Sequence, residues 1–358
     1  NMGITDVQTP APDYAKLQWA AKIGTPAEGM TTSTVVYAGQ PVVEGEFVYA
    51  TAGRTLYKIK ALDGSVAVQQ VMDGKDRFGT IPPTIAGDMI YVALDGGMVE
   101  AFDKNTLVRK WTLGGLSAGG QNSCPVLVSE GRVYTGFYDS ETGTQNYVCL
   151  TTAGKRVWSY ENAGGFYWAG ACVRDRFLLV GTDDGEIGYT SQNSNLLSLE
   201  PGSGRLIDCL SGLDADVRCS ICYDAKTNRY YFTSKGGCFY SVAVSESGYF
   251  DRDSLKKLDL RGGRTSEGKP VEGMSTSTPV VYNGRAYVGV SGVGQFSAYS
   301  GHCIAVIDLA SWSIAYTCPT KGYPQTSGLL TNAYENTGLV YIYFFENMSP
   351  GSLRVIRD

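Results

Sequence analysis

The chain has 358 residues, with 30 basic against 35 acidic side chains and a formal charge of −5. That mild acidity leaves no electrostatic footprint for DNA, RNA or anionic lipid, so nucleic acid is excluded as a partner. No stretch reaches the roughly 20 apolar residues that span a bilayer, and the greasiest run, Leu339 to Phe345, is only strand-sized.

Composition also narrows the fold. The 45 glycines and 24 tyrosines, beside only 18% charged residues, point to short strands and tight turns. At this length a single core has usually stopped growing, which leaves two domains or one domain of many small cores. The nine cysteines are an odd number at scattered spacings, so complete internal pairing is excluded. Buried, unpaired thiols are the expectation for most of them.

In chain order, residues 1–13 read as a linker, with Thr9-Pro-Ala-Pro12 as its clearest part. The opening Asn-Met-Gly-Ile-Thr-Asp shows no basic segment followed by an apolar one, so no signal peptide is expected within it. Residues 14–358 read as one domain. Within it, Ala15 to Ile23 looks like a strand carrying Trp19.

Seven hairpins follow, spanning Val42–Tyr49, Ile85–Tyr91, Val128–Tyr134, Val173–Leu179, Tyr223–Tyr231, Val281–Tyr287 and Ala333–Tyr341. In the sixth, Asn283-Gly284 is the strongest hairpin signal, since both residues accept the positive φ of a type I′ turn. Aligned at 49, 91, 134, 179, 231, 287 and 341, the repeats step by 42, 43, 45, 52, 56 and 54 residues. Such periods, with four strands each, predict an all-β, seven-bladed β-propeller of four-stranded antiparallel blades. The seventh repeat supplies only three strands. Residues 15–23 are therefore expected to complete it and close the ring, leaving no open edge there.

The family resemblance rests on one stretch per repeat. Ala101-Phe-Asp103-Lys-Asn-Thr106-Leu-Val-Arg-Lys-Trp111 is similar to the eleven-residue motif of PQQ-like propellers, except that Leu107 replaces glycine. Val148-Cys-Leu-Thr-Thr-Ala-Gly154-Lys-Arg-Val-Trp158 keeps the glycine and the tryptophan. Ser198 to Asp208 and Val306 to Tyr316 are looser copies, and Leu56 to Gly64 keeps the turn without the final tryptophan. The resemblance implies that the tryptophan docks against the neighbouring blade.

On such a fold the first-to-second and third-to-fourth turns share one face, where they are short and structural. The opposite face collects four long second-to-third loops, 137–146, 183–195, 291–302 and 346–351, and the inter-blade connections. Long loops on a rigid scaffold are where function concentrates. The candidate ligand-binding residues there are Phe166, Tyr167, Trp168, Phe296, Tyr299 and Tyr323 as flat platforms, with Asp183, Asp184, Glu186 and Arg218 as polar groups. The plain alternative is that Phe166 to Trp168 seal the channel mouth.

The run Asp183-Asp184-Gly185-Glu186 has three readings: a calcium site, a catalytic acid and base, or a solvated turn. No metal or other cofactor is assigned beyond that calcium alternative. Cys219-Ser-Ile-Cys222 does not read as a zinc or redox pair, because residues three apart on a strand face opposite ways. His302 is the only histidine.

The resemblance implies a PQQ-dependent dehydrogenase as one function. Those enzymes have eight blades and an adjacent Cys-Cys pair, and this chain has seven repeats and no adjacent cysteines. PQQ is therefore not expected. A polysaccharide lyase or hydrolase is a second enzymatic alternative. The reading carried forward is a non-enzymatic binding module with a protein or carbohydrate partner. Its expected location is the envelope or exterior of a bacterium.

Overall fold

In a computed structural model, the described residues are 4–5, 19–21, 23, 40–74, 82–117, 122, 124–138, 145–184, 194–261, 273–291, 302–325, 327–346 and 352–358. The strands form seven four-stranded sheets, six of them built from four strands consecutive in sequence. The chain is an all-β, seven-bladed propeller, and its described residues contain no α-helix.

Residue patterning explains the stacking. In the second sheet, Met89–Leu94 and Met98–Asp103 are buried almost throughout, because a sheet lies against each of their faces. Side chains alternate across a strand. Ile90, Val92 and Leu94 accordingly pack with Tyr49 and Leu56 of the first sheet, while Tyr91 and Ala93 pack with Val133 and Val148 of the third. The outer strand Arg109–Leu113 instead alternates between half-buried and exposed. Within the group of the first three sheets and within that of the other four, each interface between neighbouring sheets is its own core, which is how the chain exceeds single-core size.

Two compact units are distinguished. Lys16–Ala171 with Pro201–Arg205 hold the first three sheets, and Asn1–Ala15, Cys172–Glu200 and Leu206–Asp358 hold the other four. In the latter unit, Asn283 and Gly284 have φ of 47° and 82°, as a type I′ turn demands, and set Tyr282 opposite Arg285.

The seventh sheet differs from expectation. Its first strand is Leu329–Thr331, four residues before the expected hairpin, because Glu335–Thr337 forms a 3-10 turn. The N-terminal strand that makes it four-stranded is Ile4–Thr5, running parallel beside Leu329–Thr331. Residues 15–18 and 22 of the expected closing strand lie outside the described residues. Trp19, Ala20, Ala21 and Ile23 are described and are not in a strand.

Trp19 nevertheless behaves as the motif requires. Its Nε1 donates to Ala61 O at 2.8 Å, and its ring lies over Gly64. Trp111 and Trp158 repeat the arrangement, donating to Thr152 O and Pro201 O at 2.9 Å and covering Gly154 and Gly204. The motif glycine serves two needs: a left-handed φ, 80° at Gly154, and room for the indole.

Where the tryptophan is lost, the turn compensates. The first sheet has no docking tryptophan, and the next turn carries Leu107 at φ 56°, fully buried against Met72 and Val68. The fifth sheet also lacks one. Trp312 then takes the left-handed position itself, at φ 53°, and stacks on Phe239 at 5.3 Å. The ring or its substitute is supplied from the other side of the same interface.

Candidate functional site

The inter-sheet connections are stitched by main-chain hydrogen bonds to the ends of second strands. Phe166 N donates to Phe137 O at 2.9 Å, and Val217 N to Thr182 O at 3.2 Å. These bonds fix which side chains the loop-rich face presents in each unit.

In the unit holding the first three sheets, that face carries a stack of three rings. Tyr167 lies 4.5 Å from Trp168 at an interplanar angle of 20° and 4.4 Å from Tyr138. Trp168 is half-buried and holds φ at 53°, a left-handed geometry that a bulky aromatic residue rarely adopts. Phe166 is wholly buried against Tyr147, at 5.2 Å, and closes the interior rather than offering a platform.

In the other unit, the face carries a buried ionic cluster. Asp183 follows the strand Leu178–Gly181, Asp216 and Arg218 lie on the next connection, and Lys235 follows Arg229–Ser234. Arg218 Nε lies 2.6 Å from Asp183 Oδ2, and its Nη2 lies 3.3 Å from Asp216 Oδ2. Lys235 Nζ is 3.5 Å from the same Asp216 oxygen, while Ser194 Oγ donates to Oδ1 at 2.6 Å. Arg218 and Lys235 are each only 3% exposed, so these charges are paired away from water. Such pairs hold only when both partners stay in place.

The oxygens of Asp183, Asp184 and Asp216 lie within 4.8 Å of one another, a spacing that hard cations accept. The carboxylates of Asp183 and Asp216 are nevertheless committed to Arg218 and Lys235. A calcium ion would have to share or displace both cations, so the donor set fits an internally neutralised cluster better than a metal site. The cysteines do not fit a quinone site: no two are adjacent, and all nine thiols are free. Cys219 and Cys222 join different cores, and burial pushes their thiols up to about 11 and about 12.

Tyr323 is also interior. Its hydroxyl accepts from Thr276 N at 2.6 Å, its ring stacks on His302 at 6.2 Å, and burial pushes its pKa up to about 12. Glu186, Phe296 and Tyr299 lie outside the described residues. Of the remaining candidates, the structure brings together Tyr167 with Trp168, and Asp183 with Arg218 and Asp184. Sequence reasoning missed Tyr138, Ser194 and Lys235. The one available signal was Lys235 as a lone charge inside the apolar and hydroxyl run from Tyr230 to Tyr240.

Four-stranded repeats whose turns are capped by a docked tryptophan define a PQQ-like β-propeller. A family model described as the outer membrane protein assembly factor BamB matches residues 10–206, more than half of the chain, and the chain belongs to that family. Among solved structures, BamB from Moraxella catarrhalis is similar with a TM-score of 0.58 and 15% identity, over 91% of this chain and 84% of that one. A quinohemoprotein alcohol dehydrogenase from Pseudomonas putida is similar at 0.60 and 13% identity, over 86% of this chain and 63% of the enzyme. Hydrazine synthase from Kuenenia stuttgartiensis is similar at 0.57 and 13% identity, over 88% and 93%. At such identities the likeness concerns the fold alone. No curated protein matches the chain. No helix among the described residues is long and apolar enough to cross a membrane.

Proposed function

We propose that this chain is a non-enzymatic interaction module of the bacterial envelope or cell surface, and that a protein partner docks on its loop-rich face. The observation that carries the reading is the Tyr138–Tyr167–Trp168 stack. Its outermost ring is half-buried, on a residue held in left-handed geometry. Strained, solvent-reaching aromatics are typical of binding sites. Family membership adds support, since its description names an assembly factor.

The ionic cluster favours the same reading over catalysis. Asp183 and Asp216 are buried and held by Arg218 and Lys235. The test is the affinity of a screened peptide or glycan for wild type and for Trp168→Gly. A partner that docks on the loop-rich face and ignores that change removes the reading.

A further inference from the structure

The first-to-second strand turns of the fourth, fifth and sixth sheets belong to the face expected to serve the fold alone. They nevertheless enclose a groove of ≈ 540 Å³, open to solvent and lined by Val173, Arg174, Tyr223, Lys226, Val281 and Tyr282 among others. Its walls are apolar and its cations are ordered. Arg174 Cζ sits 4.4 Å over the Tyr223 ring, and Lys226 Nζ sits 5.8 Å over the Tyr282 ring. In each pair the cation of one sheet covers the tyrosine of the next.

The charge of the groove is not balanced from within. Asp224 is the acidic residue of its lining, and its carboxylate is taken by its own turn, accepting from Lys226 N at 3.1 Å and from Thr227 Oγ1 at 2.7 Å. Among the described residues, neither Arg174 nor Lys226 lies within ion-pair distance of a carboxylate. Two exposed cations thus flank an apolar floor spanning three successive turns. That pattern suits an extended ligand with a carboxylate beside an aromatic or aliphatic group.

We infer that this groove binds a peptide segment of a protein partner in which an acidic side chain is flanked by aromatic or aliphatic ones. The site is separate from the loop-rich face and does not depend on what docks there.

The experiment is fluorescence anisotropy with a labelled peptide carrying a central glutamate between phenylalanine and leucine, and its lysine-for-glutamate counterpart. The acidic peptide binds saturably to wild type, and the lysine peptide binds at least about tenfold more weakly. Arg174→Gln with Lys226→Gln lowers the affinity by a similar factor, as does Ala225→Glu, which keeps both cations and sets a carboxylate beside them. Thermal melting checks the fold, and Ala225→Glu decides the matter if the double variant is destabilised. Trp168→Gly leaves this binding unchanged, which separates the groove from the loop-rich face. Absence of saturable binding, equal affinity for the two peptides, or indifference to the groove variants overturns the inference. Phosphatidylglycerol vesicles that compete with the peptide at the groove also overturn it, in favour of a lipid surface.

Discussion

A Cβ added at Gly204 would lie 2.6 Å from Cδ2 and Cε3 of Trp158, so the indole already fills the space any side chain there would need. Gly204 also holds φ at 72°. Gly204→Ala therefore meets left-handed strain and must lift the ring from Pro201 O, an expected loss of about 2–4 kcal/mol in urea unfolding. Gly45 has φ 57° with nothing within 4 Å, and Gly45→Ala isolates the strain alone, about 1 kcal/mol. Equal losses at the two sites would show that the docked indole contributes nothing.

The exchange at Leu107 predicts an inversion of the usual rule. Glycine normally relieves a left-handed position by about 1 kcal/mol. Here the leucine side chain fills the space a docked tryptophan would occupy, and removing it leaves a cavity costing about 2–5 kcal/mol. Leu107→Gly should therefore destabilise by about 1–4 kcal/mol net. A gain in melting temperature would refute the compensation.

The turn aspartates give a pH signature. Hydrogen bonds from the Thr106 N–H, then the Thr106 hydroxyl, hold the Asp103 carboxyl at about 2, below its ordinary 3.8. The folded value is the lower one, so the unfolded chain takes up the proton first as pH falls. The stabilisation is present above 3.8 and fades as pH drops toward about 2. Asp103→Asn should flatten the melting temperature against pH in that window. An unchanged slope would mean the turn does not hold the carboxylate.

Much of this fold could be read in the sequence, because the repeat is written locally. The left-handed glycine and the tryptophan lie within eleven residues, as in Val148 to Trp158. Six of the seven expected hairpins lie where their turns placed them. The seventh was misplaced because Tyr334 to Gly338 imitates a hairpin while forming a 3-10 turn, with Thr337 N donating to Tyr334 O at 2.8 Å. Site residues were harder to read. Phe166 and Trp168 are two residues apart and chemically alike, yet one is interior and the other reaches solvent. Asp183, the partner of Arg218 at 2.6 Å, lies 35 residues away in sequence, and no local pattern links Lys235 to Asp216.

The ionic cluster should be stabilising only while complete. Arg218→Met takes the guanidinium from beside Asp183 and Asp216 in the interior and leaves Asp216 with Lys235. The expected loss is about 3–5 kcal/mol in chemical unfolding. An exposed pair such as Lys104 with Glu44 should contribute under about 1 kcal/mol when Glu44→Ala removes it. A loss at Arg218 no larger than at Glu44 would contradict the buried network.

The most direct test of the interaction-module account is binding on the loop-rich face by a glycine that suits the backbone. Trp168→Gly removes the outer ring while relieving its left-handed φ of 53°, so the fold should be kept. The measurement takes the best ligand of a combined peptide and glycan screen whose binding Ala225→Glu leaves unchanged, and titrates it into wild type, Trp168→Gly, Glu44→Ala and Glu130→Ala. The account predicts a loss of at least about tenfold for Trp168→Gly and little change for the two glutamate variants on the short-turn face. Unaltered affinity in Trp168→Gly, or losses confined to Glu44→Ala and Glu130→Ala, would contradict it.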